Sequence, residues 1–126
     1  MIQSIFTENA ATPLGHYSQA IEHNGLIFIS GQLPINPKNP EAHIGDIAEQ
    51  TRIVLSNLSE ILKAAGSDLS HVLKTTIFIS DISLWGEANR VYGEIFGDHK
   101  PARSAVPTKD LPKGFQIEIE AIAAKK

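Results

Sequence analysis

Residues 20–30 read Ala20-Ile21-Glu22-His23-Asn24-Gly25-Leu26-Ile27-Phe28-Ile29-Ser30. Two runs of strand-forming residues flank the dipeptide Asn24-Gly25. Asn-Gly suits the two central positions of a type I′ turn, because both positions need a positive φ. The stretch therefore predicts a β-hairpin whose second strand ends at Gly31 and Gln32.

The rest of the chain predicts two helices among further strands. Apolar residues at helical spacing predict a helix over 46–65, with a capping-box-like start at Asp46 and Glu49 and an end at Gly66. The same spacing predicts a second helix over 84–96, which Gly97 closes. β-Branched and alternating runs predict strands over 72–80, 103–106 and 115–123.

This order of elements predicts one two-layer α+β domain over residues 1–126, with a mixed β-sheet and two helices on one face. Leu26–Ile29 and Ile77–Ile79 are apolar at successive positions, so both faces of those strands need burial. Two helices cover only one face. We therefore predict that the other face lies in the interface of a homo-oligomer. The alternative is that the proline-containing loop at 33–45 folds over that face.

Composition argues against several classes of function. The formal charge of −3 and the scattered basic residues argue against nucleic acid as the main partner. The lack of cysteine rules out thiolate catalysis and cysteine-based zinc sites. The five histidines, at positions 16, 23, 43, 71 and 99, lack metal-ligand spacing, so we expect no metal. No signal peptide or transmembrane span is readable, so a cytoplasmic location without a membrane partner is the default expectation.

Arg103 and Glu118 are the candidate chemical pair, and we expect them on neighbouring strands. The Arg103 guanidinium can bind a carboxylate bidentately, although an intramolecular salt bridge is the more frequent role of a single arginine. Alternation places Glu118 and Glu120 on the sheet face opposite Ile117 and Ile119. That face is either exposed to solvent or buried in an oligomer. Burial would make Glu118 a candidate general acid or base with a shifted pKa.

Three residues near the hairpin are weaker candidates. The hydroxyls of Tyr17 and Ser30 could orient a substrate, and Gly31 would let a ligand approach its backbone N–H. Each also has an ordinary explanation, which is packing for Tyr17 and a turn for Ser30-Gly31. Trp85, at the start of the second helix, is interpreted as a packing residue rather than a platform for stacking a ligand.

The chain resembles the RidA (YjgF, UK114) family of reactive-intermediate deaminases nearly end to end. The resemblance rests on many short segments rather than on one motif. They are Thr7-Glu8-Asn9-Ala10, Leu14-Gly15-His16-Tyr17-Ser18-Gln19-Ala20, Ile29-Ser30-Gly31-Gln32-Leu33-Pro34, Gln50-Thr51, Asn57-Leu58, Ala65-Gly66, Lys74-Thr75-Thr76-Ile77-Phe78, Asn89, Tyr92, Pro101-Ala102-Arg103-Ser104 and Ile117-Glu118-Ile119-Glu120-Ala121-Ile122-Ala123.

The resemblance implies a chorismate-mutase-like α+β fold and a homotrimer with ligand clefts between subunits. It implies hydrolysis of 2-aminoacrylate and related enamines or imines to 2-keto acids and ammonia, with no cofactor. Such intermediates arise from pyridoxal-phosphate enzymes, so the activity protects against metabolite damage. Two other functions stay open: a non-catalytic 2-keto-acid-binding regulator and, less favoured by the acidic charge, a ribonuclease or translation inhibitor.

The resemblance also assigns roles to individual residues. Arg103 would clamp the substrate carboxylate, and Glu118 would handle the water and the proton. Tyr17, Ser30 and the Gly31 backbone would line the cleft.

Two further assignments and three departures concern the rim of the cleft. The backbone of Ala105 would help to hold the water, and Asn89 would lie near the pocket. Many members of the family carry Cys where this chain has Ala105, Pro where it has His16 and Glu where it has Pro107. These departures predict a reshaped rim of the cleft and an altered substrate range.

Overall fold

A computed structural model describes all 126 residues, which form six β-strands and two α-helices. The strands are β1 (Gln3–Ile5), β2 (Ala20–His23), β3 (Leu26–Gln32), β4 (Val72–Ile79), β5 (Ala102–Pro107) and β6 (Ile117–Ala124). The helices are α1 (Ile47–Ala64) and α2 (Trp85–Phe96). Neither helix is long and apolar enough to cross a membrane.

All six strands belong to one mixed sheet in the order β1-β2-β3-β6-β4-β5. Only β4 and β5 pair in parallel, and α2 makes the crossover between them. The predicted two-layer α+β fold is therefore confirmed. The sequence analysis missed β1, because three residues are too few to produce a periodic signal.

The predicted turn and helix ends are also present. Asn24 and Gly25 have φ values of 52° and 79°, as a type I′ turn requires. The Asp46 carboxylate accepts a hydrogen bond of 2.9 Å from the Glu49 backbone N–H at the start of α1. Gly66 lies just beyond α1 with φ 79°, a conformation that glycine adopts without strain.

The main core lies between the two helices and one face of the sheet. Every second residue of β3, β4 and β6 points into it, and these side chains are almost completely buried. The strand contribution is Ile27, Ile29, Ile77, Ile79, Ile117 and Ile119, and the helix α1 contributes Val54, Leu55, Leu58, Ile61 and Leu62.

The opposite face of the sheet is open in the single chain. Phe28, in the middle of β3, is 42% exposed although it is a large apolar side chain in a central part of the sheet. It pairs with Ile122 of β6, which continues the apolar surface. We call this surface, which also includes Thr76, Phe78, Glu118 and Glu120, the open face.

The loop at 33–45 does not cover the open face, so that alternative is wrong. Asn57, which is buried on α1, donates hydrogen bonds of 3.3 Å to the Leu33 carbonyl and 2.9 Å to the Ile35 carbonyl. The loop is thereby held against α1. The physical reason is that its carbonyls find a buried donor there, whereas the open face offers none.

We expect Asn57→Ala to destabilise the protein by about 1–3 kcal/mol, because two buried carbonyls lose their donor. Urea unfolding followed by circular dichroism would measure the change. Ser56→Ala, at an exposed position on the same helix, is the control and should have little effect. Equal stability of the two variants would contradict the anchoring role of Asn57.

Candidate functional site

The predicted site residues lie in two separate pockets. The glutamate pocket has a volume of about 380 Å³. Its walls include Tyr17, Ser30, Gly31, Pro112 and Glu118. The arginine pocket has a volume of about 470 Å³. Its walls include Asn89, Tyr92, Phe96, His99, Lys100 and Arg103.

A close contact between Gly31 and Glu118 shapes the glutamate pocket. The pairing of β3 with β6 shifts register between Ile29 and Gln32, so Gly31 lies in an irregular part of the strand. The Glu118 carboxylate lies directly over it. A Cβ atom built on Gly31 would overlap Glu118 Oε2, far inside van der Waals contact. Position 31 must therefore lack a side chain if the carboxylate is to stay there.

The surroundings of Glu118 favour its protonated form. Burial raises the pKa of the Glu118 carboxyl, and the negative charge of Glu120 on the same face raises it further. The structure gives this carboxylate no cationic partner. A carboxyl with a raised pKa is suited to exchange protons with a substrate or a water molecule.

Ser30 and Tyr17 are already used within the chain. Ser30 Oγ donates a hydrogen bond of 2.7 Å to the Ser18 carbonyl, so its proton serves the loop rather than a ligand. Tyr17 Oη accepts a hydrogen bond of 3.2 Å from the Leu14 backbone N–H, which leaves its own proton available to a ligand. Tyr17 is 46% exposed and lines the glutamate pocket.

Gln19 is a supporting residue that the sequence analysis missed. It is buried, and its amide nitrogen donates to the carbonyls of Thr7 and Ala11 at 3.0 and 2.9 Å. Its amide oxygen accepts from the Thr7 N–H at 2.8 Å. These bonds tie the N-terminal segment to the chain beside Tyr17. A glutamine in a polar stretch reads as a surface residue, so no sequence pattern indicated this role.

Arg103 lies on the other side of the sheet. In the parallel pair of β4 and β5 it is level with Thr75, whose side chain points toward the helices. The Arg103 guanidinium carbon is 4.9 Å from the ring centroid of Trp85 and 4.9 Å from that of Tyr92. Trp85 packs on the core as predicted, and it also stacks on Arg103, which was not predicted.

Asn89 accepts the one hydrogen bond that the Arg103 side chain makes. Its Oδ1 accepts from Arg103 Nη1 at 2.8 Å, so it orients the guanidinium and does more than lie near the pocket. No carboxylate forms a salt bridge with Arg103, so the intramolecular ion pair considered from the sequence is absent.

The expectation that Arg103 and Glu118 occupy neighbouring strands is wrong. β4 lies between β5 and β6, and the two side chains point to opposite faces of the sheet. The sequence alone could not reveal this, because strand order depends on the crossover rather than on local pattern. Ala105 is exposed on the edge strand β5 and lies in neither pocket. Within one chain, the arginine pocket and the glutamate pocket therefore open on opposite faces of the sheet.

Comparison with known proteins identifies a family. A sequence model described as Endoribonuclease L-PSP matches residues 7–125. A RutC family protein of Pyrococcus horikoshii is 52% identical over 126 residues, the full length of both chains. The 2-iminobutanoate/2-iminopropanoate deaminase of Rattus norvegicus is 43% identical over 121 residues, covering 96% of this chain and 88% of the rat protein. The chain belongs to the YjgF/RidA family.

The fold of this RidA-family protein matches that of solved relatives. The crystal structure of E. coli TdcF with bound serine has a TM-score of 0.93 and 35% identity, and the match covers 98% of this chain and 99% of that one. The resemblance to RidA noted in the sequence is thereby confirmed. Relatives at 40–43% identity are named deaminases, whereas several that are more similar carry the general RutC name. Family membership alone therefore leaves the reaction to be argued from the site.

We expect Gly31→Ala to displace the Glu118 carboxylate while leaving the fold intact, because the side chain can swing away from the new Cβ atom. Release into solvent should lower the pKa of Glu118. The pKa is measured by NMR titration of the Glu118 carboxyl, and the thermal midpoint should stay within about 5 °C of the original. Gly86→Ala is the control, since nothing lies within 4 Å of a Cβ atom at that position. An unchanged pKa in Gly31→Ala would contradict the contact.

We expect Glu120→Gln to lower the pKa of Glu118, because it removes the neighbouring negative charge that helps to raise it. Any activity that needs ionised Glu118 should then persist to lower pH. The same NMR titration and a pH–rate profile measure both effects. Glu41→Gln makes the same charge change in the loop at 33–45 and should leave the titration of Glu118 where it is. A rise in the pKa of Glu118 in Glu120→Gln would show that the sign is wrong.

Proposed function

We propose that this RidA-family protein hydrolyses enamines and imines of the 2-aminoacrylate type to 2-keto acids and ammonia, with residues 1–126 acting as one domain. The observation that carries the proposal is a pair of groups that each lack an oppositely charged partner. Arg103 is a cation without a carboxylate partner, and Glu118 is a carboxyl whose pKa is raised without a cationic partner. A small 2-imino acid needs both, one for its carboxylate and one for proton transfer.

We further propose that the active site forms between subunits of a homotrimer. Arg103 and Glu118 point to opposite faces of one sheet, so a substrate can touch both only if they belong to different chains. The open face supports this arrangement, because its exposed Phe28 and the adjoining Ile122 need cover. Closed cyclic symmetry would create identical clefts at every interface.

The chemistry requires positioning and one group that relays two protons in turn. The Arg103 guanidinium binds the substrate carboxylate through parallel N–H donors. A water molecule attacks the carbon of the C=N bond, and the Glu118 carboxylate accepts its proton. Glu118 returns this proton to the imine nitrogen, which gives a carbinolamine. Glu118 then carries the hydroxyl proton of the carbinolamine to the amino group, so the C–N bond breaks as the C=O bond forms and ammonia leaves the 2-keto acid. An imine carbon is already electrophilic, so no covalent nucleophile is required.

The remaining assignments follow the same geometry. Tyr17 offers its free hydroxyl proton, and the Gly31 backbone lies under the carboxylate of Glu118. Ser30 shapes this wall through its bond to the Ser18 carbonyl rather than through direct contact with the substrate. The Ala105 backbone would hold the attacking water from the neighbouring chain.

A protective role in the cytoplasm fits this reaction. Enamines and imines released by pyridoxal-phosphate enzymes are reactive toward other cell components, and rapid hydrolysis removes them. No metal or other cofactor enters the proposed steps.

A non-catalytic sensor of small carboxylates is the second candidate. The E. coli relative whose structure carries bound serine favours it, since binding alone would need only the cation. The glutamate pocket favours catalysis, because a carboxylate with a raised pKa adds little to anion binding. Cleavage of RNA finds less support, since the open face carries Glu118 and Glu120 and the net charge is −3.

A coupled assay tests the reaction. A threonine dehydratase generates the imine, semicarbazide traps it, and the wild-type protein should suppress the semicarbazone signal. Arg103→Ala should lower this activity on the order of a hundredfold, because a charge-assisted bidentate contact is lost. Arg90→Ala, on the outer surface of α2, is the matched control and should retain full activity. If Arg103→Ala suppressed the semicarbazone signal as fast as the wild type, Arg103 would not bind the substrate carboxylate as proposed.

Mixing inactive variants tests the shared site. Arg103→Ala and Glu118→Gln should each be inactive, but subunits refolded together should regain activity. In random mixing at equal amounts, about one quarter of the clefts would combine an intact Arg103 with an intact Glu118. If both residues acted from one chain, the mixture would stay inactive. Sedimentation of the mixture checks that it has reassembled.

A further inference from the structure

Arg103 differs from the ion-paired cations of this protein, because its neighbours carry no negative charge. Arg90, on α2 itself, pairs with Glu87 and Glu94, and Lys125 lies 3.1 Å from Glu22. Arg103 has no carboxylate partner. Its neighbours are two aromatic rings and one neutral amide. An exposed arginine on an edge strand would otherwise sample many rotamers, so these neutral contacts are what confine it.

The rings that contact Arg103 are themselves held in place. Tyr92 is buried, and its hydroxyl lies 2.7 Å from Thr75 Oγ1, on the residue of β4 that pairs with Arg103. Its ring centroid is 4.6 Å from that of Phe96, which fixes the ring from the other side. Trp85 is half-buried against the core. The rings therefore form a rigid support rather than a loose surface contact.

We propose that Trp85, Tyr92 and Asn89 are positioning residues that orient Arg103 while leaving its charge free for the substrate carboxylate. This set is the aromatic cradle. The inference rests on the proposed function of Arg103. An aromatic ring attracts a cation through its quadrupole but carries no net charge. A carboxylate partner would orient the guanidinium equally well, yet it would neutralise the charge and compete with the incoming anion.

Ligand binding beside the aromatic cradle can be followed by the fluorescence of Trp85. Trp85 is the only tryptophan in the chain, so intrinsic fluorescence comes from the ring beside Arg103. Titration of the wild-type protein with 2-oxobutanoate, a 2-keto acid, should therefore change the fluorescence as the anion binds. Arg103→Ala should abolish the change. This measurement needs no turnover, so it is independent of whether the protein is a deaminase or a sensor.

Substitutions in the cradle test the mechanism by isothermal titration calorimetry with 2-oxobutanoate. Trp85→Leu should raise the Kd roughly three- to tenfold, because an apolar side chain keeps the packing but loses the cation–π attraction. Trp85→Phe should raise it less, since a smaller ring remains. In the coupled assay the KM should follow the Kd while kcat changes little, because the contact acts on ground state and transition state alike.

Asn89→Asp is the sharper test because it barely changes shape. It would place a carboxylate oxygen where Oδ1 now accepts from Arg103 Nη1. The Kd for 2-oxobutanoate should rise at least tenfold at low salt, and added salt should reduce the difference, as expected for charge competition. Arg90→Leu is the control and should bind normally. A merely structural role for Asn89 would give no salt dependence.

The outcomes separate this inference from the proposed function. If Trp85→Leu and Asn89→Asp bind 2-oxobutanoate as tightly as wild type, the cradle is overturned even if deamination stands. If the variants weaken binding as described but wild type does not hydrolyse imines, the cradle stands and the deaminase proposal fails. Absence of any binding to wild type would overturn both.

Discussion

The side chains of β6 point alternately to the two faces of the sheet, and the two faces have opposite requirements. Ile117 and Ile119 point to the helices and are fully buried, so they fix the register of the strand in the core. That register leaves Glu118 and Glu120 on the open face. A shift of one residue would bury two carboxylates and expose the isoleucines, which is prohibitive. The position of the Glu118 carboxyl is therefore a consequence of core packing.

The same carboxyl works against the stability of the fold. Because the pKa of Glu118 is raised in the folded protein, the folded state binds more protons than the unfolded state between the ordinary and the raised pKa. Stability falls as the pH rises through this range and is not regained above it. Gly31 leaves room for this carboxylate over the backbone, since a Cβ atom there would overlap it. Neither feature contributes to packing in the core, and both fit the chemical role proposed for Glu118.

Most of the fold could be predicted because turns and helices depend on residues that are close together in the sequence. Asn24-Gly25 specified the hairpin turn, and the apolar spacing of α1 and α2 specified their inner faces. The pairing of β6 between β3 and β4 was beyond such reasoning, since strand order is set by contacts distant in sequence. Arg103 and Glu118 were recognised as residues of interest, but their separation across the sheet could not be foreseen. The stacking of Trp85 on Arg103 was missed for the same reason.

The place of β6 in the sheet also affects how the chain can fold. The strands β1, β2 and β3 form one half of the sheet and β4 and β5 the other, and β6 is the only link between the halves. It is also the last strand in chain order. Before β6 inserts, both β3 and β4 present long unpaired edges rich in isoleucine, which can pair with other chains. Nascent molecules should thus depend on dilution or chaperones until the final strand arrives.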